Sequence, residues 1–127
     1  MYQYKAKLVR VVDGDTVDAM IDCGFSTFKK ERIRLYGIDA PESRTRDKAE
    51  KKRGLAAKAR LKEMIKEGQN EFIVETFIDK KGKYGRLLGE IFRDVDSERS
   101  YNDMLVSEGH AIEYFGGKKK KKPTPKK

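Results

Sequence analysis

The chain has 127 residues, enough for one compact core and too few for two. Charged residues make up 40% of it, yet Val, Ile, Leu and Phe gather in short runs between polar turns, which excludes a wholly disordered chain. The net charge of +9 suggests a polyanionic partner such as nucleic acid, but seven of those charges are the lysines of residues 118–127; the +2 left on residues 1–117 sends the search for function to local clusters.

Cys23 stands alone, so an intrachain disulfide and a multi-cysteine metal site are both excluded. The start of the chain, "MYQYKAKLVRVV", lacks a basic region followed by an apolar one, and no window reaches membrane-spanning length. A cytoplasmic monomer is expected, with secretion open if a leader was removed.

In chain order, "YKAKLVRVV" (4–12) predicts a strand whose apolar parity slips between Leu8 and Val9, as a bulge would cause. "DGD" turns the chain, and "TVDAMID" resumes with Val17, Ala19 and Ile21 on one face and Asp18 and Asp22 on the other, a hairpin. After the turn "CGFS", "TFKKERIRLYGI" predicts a third strand in which Ile33 and Leu35 alternate with Arg32 and Arg34 and which Gly37 interrupts. Residues 43–53, "SRTRDKAEKKR", lack apolar periodicity and hold six basic residues against two acidic ones, so a mobile loop is expected.

Ala57, Leu61, Met64 and Ile65 then form a helical stripe that Gly68 ends. "EFIVETFI" and "RLLGEIF" predict the fourth and fifth strands around the turn "DKKGKYG". Ser100 suits the N-cap of a short helix that Gly109 ends, "HAIEYF" closes the ordered part, and "GGKKKKKPTPKK" predicts a disordered basic tail. The expected fold is α+β, mainly β: a five-stranded Greek-key barrel of the OB type with about two helices, one domain over 1–117 and a Lys-rich tail over 118–127.

Three carboxylates and two arginines carry the chemistry. Asp15 shares parity with the core-facing residues of the second strand, and Asp39 ends the third, its hairpin neighbour. Two such carboxylates would repel without a cation between them. Pro41 holds Ala40 extended, which fixes where its carbonyl points, and that carbonyl can be a third oxygen ligand. Hard oxygens with no His or Cys nearby suit calcium or magnesium, not zinc. Glu42 follows within reach of a water near such an ion, and Arg34 and Arg86 supply cations of the kind that phosphodiester cleavage needs.

Each piece alone has a plainer explanation: "DGDT" as a turn, "DAPE" as a strand exit, Arg32 and Arg34 as a solvated strand face. An EF-hand is excluded, since counting from Asp13 puts Asp18 where Gly is needed and Gly24 where Glu is needed. The lone His110 rules out two-histidine catalysis and is expected to pack at a helix end.

Together, "VVDGDTV" (11–17), "RLYGIDAPE" (34–42), "GKYGR" (82–86) and "LVSEGHA" (105–111) resemble the staphylococcal nuclease (thermonuclease) family in order and spacing, over residues 4 to about 115. The resemblance implies that Asp15, Asp39 and the Ala40 carbonyl bind Ca²⁺, that Arg34 and Arg86 hold the scissile phosphate, and that Glu42 orients or deprotonates the attacking water. It implies cleavage of DNA and RNA, single-stranded or frayed, on the 5′ side of the phosphate, leaving 3′-phosphate ends. Lys83 and Tyr84 match residues that contact a terminal phosphate, and Tyr114, with Phe115, maps loosely to base-stacking tyrosines. Here Ala40 replaces the family's metal-site threonine, and the type member's third helix is replaced by the lysine tail. The alternative is a nuclease-like OB module that only binds nucleic acid or a protein; keeping Asp15, Arg34, Asp39, Glu42 and Arg86 together favours the enzyme.

Overall fold

A computed structural model describes residues 2–77 and 87–115. Five strands close a barrel: β1 (Gln3–Asp13), β2 (Thr16–Asp22), β3 (Phe28–Leu35), β5 (Glu71–Phe77) and β6 (Leu87–Phe92), in the order β1-β2-β3-β6-β5. β3 and β6 run parallel, and the other neighbours are antiparallel. Two residues of β4 (Ile38–Asp39) pair with two of β7 (Ile112–Glu113) in a separate ribbon. This is the α+β, OB-type barrel that the strand pattern predicts.

Alternation along the strands builds the core. Val17, Ala19, Ile21, Ile33, Leu35, Phe72, Val74 and Ile91 point inward, and the predicted stripe of α1 (Lys48–Glu67), Ala57, Leu61, Met64 and Ile65, covers the barrel with Leu105 of α2 (Tyr101–Ser107). The parity slip in β1 is a bulge: Leu8 faces Ala19 and Arg10 faces Asp18, so Val9 is extra. A second shift lies between Val11 and Asp13. Ser100 caps α2 as expected, its hydroxyl accepting the Asp103 N–H at 3.0 Å.

The loop expected over 43–53 is overturned for residues 48–53, which are helical, while 43–47 form an irregular lead into the helix. α1 begins at Lys48, where the Asp47 carboxylate accepts the N–H groups of Ala49 and Glu50 at 3.0 and 3.2 Å. Ala, Glu, Lys and Arg are strong helix formers. The missing apolar periodicity reflects a first turn and a half exposed to solvent, not an absence of helix. Ser43, at the start of the same stretch, is buried.

The turn that holds Lys83, Tyr84 and Arg86 and the chain after Phe115, tail included, lie outside the described residues. Among the described residues no helix is long and apolar enough to cross a membrane.

Candidate active site

The turn Asp13–Gly14–Asp15, the end of β3 and the exit strand β4 meet at one mouth of the barrel. β2 and β3 pair from Asp22 opposite Phe28 to Thr16 opposite Arg34, and the ladder runs on through the Leu35 N–H to the Asp15 carbonyl at 2.8 Å. Asp15 therefore lies beside the point where β3 ends. Its Oδ1 accepts the Thr16 hydroxyl at 2.9 Å, and its Oδ2 accepts the Ala40 N–H at 2.8 Å.

Arg34 leaves β3 on the outward face, bends over the exit and is 15% exposed. Its Nη1 donates to the carbonyls of Leu35 and Ile38 at 3.1 and 2.9 Å and lies 3.6 Å from Asp15 Oδ2. Its Nη2 donates to Asp39 Oδ1 at 3.3 Å. Two buried carboxylates that share one guanidinium are also brought to each other.

The donor chemistry fits a hard cation. The two carboxylates and the nearby Ala40 backbone offer oxygen alone, and Asp15 keeps lone pairs beyond the two bonds it accepts. Among the described residues no cluster of three or more His, Cys, Asp or Glu could hold a metal, so water would fill most of the coordination sphere.

Glu42 is exposed just past Pro41, and its backbone is clamped. Glu50 Oε2 accepts the Glu42 N–H at 3.1 Å, and the Ser43 hydroxyl donates to Asp13 Oδ1. Gly54 of α1 lies so close that a Cβ there would press into the Glu42 carbonyl and come within 2.7 Å of the Ser43 nitrogen. Gly14 is equally tight, since a Cβ on it would stand 2.6 Å from the Ala57 Cβ and 3.1 Å from the Ala40 Cβ. α1 is thus wedged against both the Asp turn and the chain that carries Glu42.

Of the residues singled out in the sequence, the fold gathers Asp15, Arg34, Asp39 and Ala40, with Glu42 three residues past Asp39. Tyr114 adjoins the β4–β7 ribbon, where its N–H donates to the Gly37 carbonyl at 2.8 Å. Phe115 packs edge-on against Tyr36, which stacks on Phe77. His110 is 4.0 Å from Glu108 at the end of α2.

Sequence reasoning missed Asp13, Ser43, Glu50 and Gly54, which hold the Glu42 backbone. The spacing of Asp47 and Glu50 was the available signal, because Asp followed three residues later by Glu marks a helix start. Asn102 was missed too: it is 2% exposed, accepts the Ile91 N–H and donates to the Tyr36 and Gly89 carbonyls, bolting α2 to β6 and to the chain just past the end of β3. Asp18 is also buried, between Arg32 (Nε to Oδ1 2.8 Å, Nη2 to Oδ2 3.2 Å) and Arg10 (Nε to Oδ2 3.2 Å). Arg32 is the main cause of a carboxyl held below its usual range, against burial and with help from Arg10.

A model of the family described as staphylococcal nuclease homologue matches residues 32–127. Protein ParB of Escherichia coli is 29% identical over 120 residues, covering 88% of this chain and 58% of that protein. Endonuclease YncB of Bacillus subtilis (strain 168) is 30% identical over 104 residues, covering 82% and 45%. Micrococcal nuclease of Shigella flexneri is 30% identical over 129 residues, covering 95% and 63%. The chain thus spans 45% to 63% of the length of these three relatives.

Proposed function

The chain belongs to the staphylococcal nuclease homologue family, and from that premise we propose that it is a Ca²⁺-dependent nuclease that hydrolyses DNA and RNA to leave 3′-phosphate ends. The observation that carries the reading is the convergence of Asp15 and Asp39 on the Arg34 guanidinium, three residues before Glu42. The names endonuclease and micrococcal nuclease, borne by two relatives, support it.

In this mechanism Asp15, Asp39 and the Ala40 carbonyl would hold the cation, which would supply Lewis-acid stabilisation of the charge on the phosphoryl group. Arg34 turns from the carboxylates toward the phosphate, where a forked guanidinium meets two oxygens as their charge grows. Glu42 takes a proton from the attacking water as its oxygen bonds to phosphorus. The bond from phosphorus to the 5′ oxygen breaks, that oxygen gains a proton, and the phosphate stays on the 3′ side. Arg86 is proposed as the second phosphate cation, with Lys83, Tyr84 and Tyr114 contacting the nucleotide. The first three of these four lie outside the described residues.

Incubation of single-stranded DNA with Ca²⁺, with Mg²⁺ or with chelator tests the reading. Cleavage that needs Ca²⁺ and leaves 3′-phosphates is expected. Products with 3′-hydroxyl ends, or cleavage that chelator does not stop, would contradict it.

A further inference from the structure

The outward face of β3 continues beyond the candidate site. Alternate residues share a face, so Arg34 is followed by Arg32, Lys30 and Phe28 in steps of about 6.6 Å. Register carries Arg32 across β2 to Asp18 and on to Arg10 of β1. Arg10 reaches this face because of the bulge: if Val9 held a regular place in the ladder, the alternation that turns Lys7 outward would turn Arg10 into the barrel.

The charges in this row do not balance. One arginine would neutralise Asp18, and two are present. Arg10 gives one of its five N–H groups to Asp18 and Arg32 gives two, while their side chains remain 58% and 45% exposed. The Asp18 side chain, 9% exposed, has both oxygens engaged. It acts as a buried clamp that fixes two guanidiniums and leaves their other donors facing outward. In the next row Lys7 and Lys30 flank Met20, with Glu71 of β5 opposite Lys7 on its far side, so it is Lys30, beside Arg32 on β3, that extends the basic strip.

We propose that Arg10 and Arg32, splayed by Asp18, form a phosphate subsite that receives a backbone phosphate of the polynucleotide next to the one being cleaved. The inference rests on the nuclease reading for the identity of its ligand. A fixed pair of forks suits a phosphate better than mobile lysines do, because little side-chain freedom is lost on contact. Subsite and candidate site are one strand step apart, so a single extended strand can engage both.

The test is anisotropy of a labelled oligothymidylate of about ten nucleotides, in chelator, between about 50 and 200 mM salt. The variants are Arg10→Gln, Arg32→Gln and, as a control for lost charge, Lys62→Gln on the exposed side of α1. Arg10→Gln leaves Asp18 paired with Arg32, so it probes the phosphate contact with the cross-strand pair intact. Each arginine variant is expected to weaken low-salt binding roughly three- to tenfold and to reduce the slope of log affinity against log salt by about 0.7. Lys62→Gln is expected to leave both near wild type. If the arginine variants match Lys62→Gln while the wild type cleaves the oligonucleotide once Ca²⁺ is added, the subsite is wrong and the nuclease reading stands. If the slopes fall but no metal ion restores cleavage, the subsite stands and the nuclease reading fails. No wild-type binding at low salt would overturn the subsite.

Discussion

Asp15 accepts the Thr16 hydroxyl and the Ala40 N–H while lying 3.6 Å from Arg34, so its orientation is fixed before any ligand arrives. Ca²⁺ is therefore expected to raise the thermal midpoint of the wild type in proportion to the logarithm of its concentration above Kd. Asp15→Asn and Asp39→Asn are each expected to abolish most of that gain, as read by thermal unfolding with and without Ca²⁺. Equal gains in both variants would place the ion elsewhere. Asp15 and Arg34 were legible in the sequence because each sits a fixed number of residues from a strand pattern, whereas Asp39, expected at the end of the third strand, lies past the end of β3 at Leu35 in β4, which pairs with β7. Asp13 was not, because its grip on Ser43 spans 30 residues and only the folded chain brings the two together.

At the scale of elements, α1 positions Glu42. Asp47→Ala removes the cap and is expected to cost about 1 kcal/mol of stability in denaturant unfolding. Gly54→Ala forces a methyl against the Glu42–Ser43 peptide, with an expected loss of about 1 to 3 kcal/mol. It should also slow cleavage while keeping the Ca²⁺-dependent gain in midpoint, because the carboxylates that would hold the ion are not on that peptide. The stripe of α1 was readable from Ala57 to Ile65, but its first turn and a half have no buried face to announce them.

The β2–β3 and α1–α2 contacts carry a pH dependence. Asp18 and Glu108 are both held below their ordinary values of 3.8 and 4.5, chiefly by bonds from Arg32 and Arg60 respectively. A depressed folded pKa means that the unfolded chain takes up protons first, so the stabilisation is complete above the ordinary value and is lost as pH falls through the folded one. The thermal midpoint should drop as pH goes below about 4. Asp18→Asn should start lower and fall less steeply. An identical slope in that variant would exclude Asp18 as a contributor.

At the scale of the whole molecule, five short strands and one long amphipathic helix were enough to foresee the barrel, since inward alternation and turn residues specify it locally. The two-residue ribbon of β4 and β7 was not foreseeable, because it is too short to show a pattern. We propose that the lysines of residues 118–127 act on long polynucleotides through counterion release. Removing them should weaken binding to long single strands at low salt, less so at high salt, and spare single-turnover cleavage of a short oligonucleotide. Unchanged low-salt binding to long DNA would give the tail another role.

The central claim is that the Asp15–Arg34–Asp39 cluster and Glu42 perform phosphodiester hydrolysis. Single-turnover cleavage of a short oligonucleotide at saturating Ca²⁺ tests it most directly, comparing wild type with Arg34→Ala, Arg34→Lys and Glu42→Gln. Arg34→Ala should lower the rate by roughly two to three orders of magnitude, because the charge it meets grows in the transition state. Lysine should not restore it, since an ammonium cannot bridge two phosphoryl oxygens. Glu42→Gln should slow the reaction while keeping the Ca²⁺-dependent gain in thermal midpoint, because an amide cannot accept the proton. Near wild-type rates in all three variants would mean that this strand and its exit serve the fold alone, and would contradict the nuclease reading.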